Sequence, residues 1–194
     1  MQRLLKIIIT AAIVLMAAPV EVRADGYIAP WLGMNWGSGN NVDNGRGAFG
    51  VTAGSMGAGV IGGEVSFGYS PSFFGTNNDF GNNTVIDLMG NVIVGLPIGG
   101  SRGKGFRPFV TGGLGLVRTQ IDGGTLGNVS AKNNMLGWNA GGGVMGYFND
   151  HVGLRGDLRY TQGFEDLSTG ITSIDLSGTN RLHYWRLQAG VVLR

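Results

Sequence analysis

The chain has 194 residues, 43% of them apolar, with 38 glycines, no cysteine and a formal net charge of +2. That length suits about one domain, and the lack of cysteine excludes disulfides, thiolate metal sites and cysteine nucleophiles. The glycines follow no collagen period, so they point instead to tight curvature and closely layered side chains in strands.

Met1 to Ala24 reads as an export leader. It has a basic start (Arg3, Lys6), an apolar run from Leu4 to Ala18 interrupted only by Lys6 and Thr10, and compact residues at Val22 and Ala24. The run is short of the roughly 20 residues a membrane-spanning helix needs, which argues against the alternative of an uncleaved anchor. Cleavage is expected after Ala24, leaving a single domain over 25–194, and a lipoprotein is excluded for want of a cysteine. Loss of the leader removes three of the fourteen basic residues (Arg3, Lys6, Arg23) and one of the twelve acids (Glu21), so eleven of each remain. A chain of balanced charge offers no nucleic-acid surface.

From there the sequence alternates. Gly26 to Trp36 is a first strand, whose faces Pro30 leaves least defined because it costs a ladder hydrogen bond. Gly37 to Arg46 is a polar loop. Gly47 to Met56 sets Phe49, Val51 and Ala53 against Gly50, Thr52 and Gly54, and a glycine turn leads to Val60 to Tyr69. There Ile61, Val65, Phe67 and Tyr69 oppose Glu64 and Ser66. Pro71 to Asn83 is a second long loop. Thr84 to Leu96 places Ile86, Leu88, Val92, Val94 and Leu96 opposite Asp87, Met89, Asn91 and Ile93. Each run has the period of two that marks a half-buried strand.

A basic, glycine-rich connection, Pro97 to Gly105, precedes Phe106 to Arg118, where Val110, Leu114 and Leu116 face away from Phe109, Thr111, Gly113 and Gly115. Asp122 to Asn133 is a third polar loop. Asn134 to Phe148 puts Leu136, Trp138, Ala140, Val144 and Phe148 on one side and Asn139, Gly141, Gly143 and Met145 on the other. After an Asn149-Asp150 turn, Val152 to Thr161 alternates without exception, with Arg155, Asp157 and Arg159 all on one face. A slip of one residue would put those charges in hydrocarbon, at about 2–4 kcal/mol for each arginine near the midplane. Glu165 to Asn180 is the fourth long loop. Leu182 to Arg194 then repeats the pattern, with Trp185, Leu187, Ala189, Val191 and Leu193 opposite Arg186, Gln188, Gly190, Val192 and Arg194.

Eight strands therefore stand in order, joined by alternately long and short connections. An even number brings both chain ends to the side of the short turns, which is the layout of outer-membrane barrels with short periplasmic turns and long external loops. Only a helix or a closed barrel satisfies its backbone in lipid, and no long apolar helix remains once the leader is gone. The expected fold is an all-β, eight-stranded antiparallel up-and-down transmembrane barrel.

With these residues, and above all the aromatic-rich alternating run Leu182 to Arg194, the chain resembles the small outer-membrane β-barrels of the OmpA, OmpX and opacity-protein type, often grouped as porin-family barrels. The resemblance covers nearly all of Asp25 to Arg194. It implies residence in the outer membrane of a Gram-negative bacterium, insertion by the outer-membrane assembly machinery, and a monomer in contact with outer-membrane lipid. Barrels of that type usually finish on an aromatic, whereas this sequence stops at Arg194. No peptidoglycan-binding domain follows the barrel, so a tether to the cell wall is not expected.

Parity directs Glu64, Asp87, Arg155, Asp157, Arg159 and Arg186 inward, three acids and three bases. A lumen of eight strands is only wide enough to be filled by side chains or to hold one small ligand. A mutually neutralised network plugging the tube is the expected state, because buried charges persist only when paired. A narrow or gated pore for ions or small solutes, and a ligand or proton site, are the alternatives. A soluble lipocalin-like barrel would need an apolar lumen, which the inward charges contradict.

No enzymatic motif survives inspection. In the basic connection Ile98 stands where a phosphate loop needs its first glycine and Gly105 where it needs Ser or Thr, and no nucleophile elbow occurs. His151 and His183 fall at opposite ends of the barrel and cannot share a metal, so no cofactor, metal or catalysis is expected. Tyr27, Trp31, Trp36, Phe67, Tyr69, Phe106, Trp138, Phe148, Tyr160, Tyr184 and Trp185 lie near strand ends and are expected to form two interfacial girdles. The four long loops, rich in Gly, Asn, Ser and Thr, read first as solvated variable connections and alternatively as carriers of contacts with extracellular ligands or host surfaces. The function expected is structural and interactive.

Overall fold

The computed structural model describes residues 24–37, 45–57, 60–73, 82–99, 104–122, 131–164 and 182–194. The expected leader lies outside the described residues apart from Ala24, and so does most of each of the four long loops. Eight strands form in chain order: β1 (Ala24–Trp36), β2 (Arg46–Gly57), β3 (Ile61–Pro71), β4 (Asn82–Gly95), β5 (Gly105–Asp122), β6 (Ala131–Tyr147), β7 (Val152–Gly163) and β8 (His183–Leu193). Each pairs antiparallel with the next and β8 closes on β1, giving a closed barrel. Closure leaves no edge of unpaired backbone, which is the condition for crossing lipid with strands.

The alternation decides which way each strand faces. Large apolar side chains stand on the outside, with Leu32, Leu114 and Val110 more than half exposed, while mid-strand charges and amides such as Glu64, Asn91, Asn139, Arg155 and Gln188 are buried on the inward face. In β7 the outward Leu154 and Leu158 register against Val191 and Leu187 of β8, and the inward Asp157 against Gln188. Pairing is continuous around the barrel except at one place: the ladder between β1 and β8 skips Ala29 and Pro30, where the proline has no N–H to give.

β5 and β6 extend further than alternation predicts, to Asp122 and back to Ala131. Their outer ends keep the ladder through Thr119 opposite Asn133 and Gln120 opposite Lys132. Toward that end β5 reads Arg118, Thr119 and Gln120, so the contrast that reveals a strand in sequence fades while the ladder continues.

Candidate functional site: the charged lumen

All six charges expected inside are buried in the lumen, in two groups. The first is a ring of four. Glu64 of β3 accepts from Arg155 (Nη1 to Oε2, 2.9 Å) and from Arg159 (Nη2 to Oε1, 2.7 Å). Asp157 closes the ring, accepting from Nε of Arg155 at 2.7 Å and from Nε of Arg159 at 2.8 Å. The i, i+2 spacing of β7 sets this up, since it stacks Arg155, Asp157 and Arg159 along one face with the acid between two bases. Glu64 is further held by the Tyr27 hydroxyl at 2.8 Å and the Thr111 hydroxyl at 3.1 Å. A carboxylate taken out of water needs this many donors, because its Coulomb attraction alone does not offset desolvation.

The second group is Arg186 of β8 with Asp87 of β4. Two parallel bonds join them, Nη1 to Oδ1 at 3.1 Å and Nη2 to Oδ2 at 2.7 Å, the fork geometry that suits guanidinium and carboxylate. The remaining donor of Arg186, Nε, bonds Asn35 Oδ1 at 2.7 Å, and Nη2 also reaches the Ser70 hydroxyl at 3.2 Å. The guanidinium lies between the rings of Trp31 and Tyr184, 5.1 and 5.3 Å from their centroids. Acid and base thus balance within each group.

Space for these long side chains comes from glycine. Gly141 and Gly143 of β6 register against Arg159 and Asp157, and Gly68 of β3 against Asp87. A Cβ at Gly68 would stand 2.5 Å from both Asp87 Oδ2 and Arg186 Nη1. Outward glycines have no such crowding: nothing lies within 4 Å of a Cβ built on Gly146 or Gly156.

Apolar layers close the column at both ends. Toward the short turns, Tyr27, Ala29, Met56, Ile93, Phe109, Met145, Tyr147 and Val192 form one cluster; toward the long loops, Phe73, Val85, Met89, Val117 and Tyr184 form another, with Met135 and Leu182 against it. The ions therefore lie between two mainly apolar clusters, and the one toward the short turns also takes in the buried Arg107 beside Met56 and Tyr147.

Three aromatics expected in the girdles are inside instead. Tyr27, Trp31 and Tyr184 are buried in the lumen. Trp31 registers against Gly50 on one neighbour and Gly190 on the other, and Tyr27 against Gly54, so each fills room the glycines leave. Tyr184 keeps the parity of Arg186, its hydroxyl 3.4 Å from Asp87. The other eight face outward or lie exposed, among them Trp138, Tyr160 and Trp185, with centroids 5.5 and 5.1 Å apart along the row. Sequence reading also missed Asn35 and Arg107, both buried inside. Arg107 stacks on the Tyr147 ring at 5.5 Å, and its parity with Phe109 would have placed it there.

His151 sits in the β6–β7 turn and His183 opens β8 at the other end, as expected. Among the described residues no three His, Cys, Asp or Glu side chains are grouped to hold a metal. No helix among the described residues is long and apolar enough to cross a membrane.

The fold has solved relatives in structure. Neisserial surface protein A superposes with a TM-score of 0.64 at 15% identity, over 87% of this chain and 96% of that one. The N-terminal β-barrel domain of Pseudomonas aeruginosa OprF gives 0.53 at 15% identity, over 88% and 98%. Ail, the attachment invasion locus protein of Yersinia pestis, solved in complex with the heparin analogue sucrose octasulfate, gives 0.51 at 12% identity, over 87% and 96%. No curated protein sequence matches. The family model for the outer membrane protein β-barrel domain matches residues 8–194, and this chain, a closed eight-stranded barrel, belongs to that family of outer-membrane barrels.

Proposed function

We propose that this chain is a non-catalytic, non-conducting barrel that serves the bacterial outer membrane through its surface. It adds to envelope integrity and makes adhesion-type contacts through its four external loops, those joining β1 to β2, β3 to β4, β5 to β6 and β7 to β8. It is exported by a leader cut after Ala24, inserted by the assembly machinery, and works as a monomer in lipid. The observation that carries this reading is the filled lumen. Every predicted inward charge is paired, and apolar clusters close the ionic column above and below. A tube packed this way has no work to do inside, which leaves its loops. The complex of Ail with a heparin analogue supports the surface reading, since it shows a barrel of this architecture engaging a ligand.

Planar-bilayer recording tests it: the purified protein should carry no steady current. The rival, a narrow passive pore, requires a steady current that changes when Arg155 or Arg159 is neutralised, and that result would replace this reading. Protease applied to intact cells should cut within the four loops and leave the barrel whole.

A further inference from the structure

Among the described residues, Ser72 is the one non-glycine position with a positive φ, +52°. That left-handed conformation strains a residue with a Cβ, and such strain marks places where the surrounding structure needs the chain to turn sharply. Here the turn follows the end of β3. The Ser72 N–H donates to the Asn83 carbonyl at 2.7 Å, and the next side chain, Phe73, swings into the barrel mouth, where it is fully buried. Its ring meets Tyr184 edge-on at 5.1 Å and packs with Val85, Met89 and Val117. Directly beneath, the Tyr184 hydroxyl touches Asp87, and Asn35 and Ser70 hold Arg186 without any exposure to solvent.

We propose that Phe73 is a removable stopper for the external end of the lumen, hinged at Ser72. Seated, it keeps water and solutes off the Asp87–Arg186 pair. Unseated, it relaxes the strained serine and opens the chamber holding that pair to the outside. Phe73 suits the part because the other residues of its cluster are fixed in strands or immediately beside them, whereas Phe73 follows the strand end on a two-residue turn.

The absence of native cysteine makes the test clean. A Ser70→Cys protein, folded in detergent as judged by heat-modifiable migration, should react slowly with a charged, water-soluble methanethiosulfonate. Adding Phe73→Ala should speed that reaction roughly ten- to a hundredfold, the population ratio set by burial of one phenylalanine. Ser72→Val, which keeps the ring but resists a left-handed φ, should also speed it, and Ser72→Gly should slow it. A Met56→Cys thiol at the opposite end should be indifferent to Phe73→Ala. Fast reaction of Ser70→Cys with Phe73 in place would overturn the proposal. So would a rate unmoved by the Phe73 and Ser72 changes, or an equal rise at Met56→Cys, which would mean general loosening.

Discussion

Arg155 reaches Glu64 across the lumen from β7 to β3, with Nη1 2.9 Å from Oε2, although the two are 91 positions apart in sequence. The same carboxylate also takes Arg159, so one acid neutralises parts of two bases. Glu64→Ala should therefore leave more positive charge in the lumen than Asp157 can compensate. The expected loss is about 3–5 kcal/mol of stability, the usual cost of removing one member of a buried ion pair. Urea unfolding of the folded barrel in detergent would measure it. A loss below about 1 kcal/mol would mean that water already reaches the ring.

Glycine substitutions should separate inside from outside. At Gly50 an added Cβ would overlap the Phe67 carbonyl oxygen and stand 2.5 Å from Trp31 Cζ2, whereas at Gly156 nothing lies within 4 Å. Gly50→Ala should cost about 1–3 kcal/mol through overpacking. Gly156→Ala should be neutral or stabilise by up to about 1 kcal/mol through the unfolded chain. The temperature at which heat-modifiable migration is lost reads both. Equal effects at the two positions would contradict the packing described.

Leu158 and Arg159 are neighbours on β7 with opposite surroundings, Leu158 exposed on the outer face and Arg159 buried between Glu64 and Asp157. Leu158→Arg should destabilise the barrel in lipid by about 2–4 kcal/mol, the cost of a basic side chain near the midplane. The same substitution should cost much less in short-chain micelles that let the guanidinium reach water. Reversible unfolding in vesicles against micelles would show the difference.

The uneven legibility of this chain has a physical basis. In β7 and β8 charges alternate with leucine and valine, and hydrocarbon tolerates only one assignment, so the inward places of Arg155, Asp157, Arg159 and Arg186 could be read from the sequence directly. Which acid meets which base could not be read, because Glu64 is brought to Arg155 by the stagger of the strands around the barrel. Tyr27 and Trp31 failed for another reason: an aromatic near a strand end suits an interface or a lumen, and Pro30 interrupts the ladder beside them. What decides them is the cross-strand glycine, Gly54 for Tyr27 and Gly50 with Gly190 for Trp31, and these become partners only once register is known.

Asp87 and Arg186 offer a test of whether the second ionic group acts as a unit. Asp87→Asn leaves Arg186 buried with neutral partners only, Asn35, Ser70 and Tyr184. Arg186→Met fills the space between Trp31 and Tyr184 but strands Asp87 among the Gly68 backbone and the Tyr184 hydroxyl. Each single change should cost about 3–5 kcal/mol, because each leaves a charge in a site that water does not reach. Together they leave no charge unpaired, so the double variant should be more stable than the sum of the two predicts, by about 1–3 kcal/mol. Denaturant unfolding of the four proteins gives the coupling directly. Additivity within about 0.5 kcal/mol would show that the two side chains do not depend on each other, and that the hydroxyls and rings around them hold each one separately.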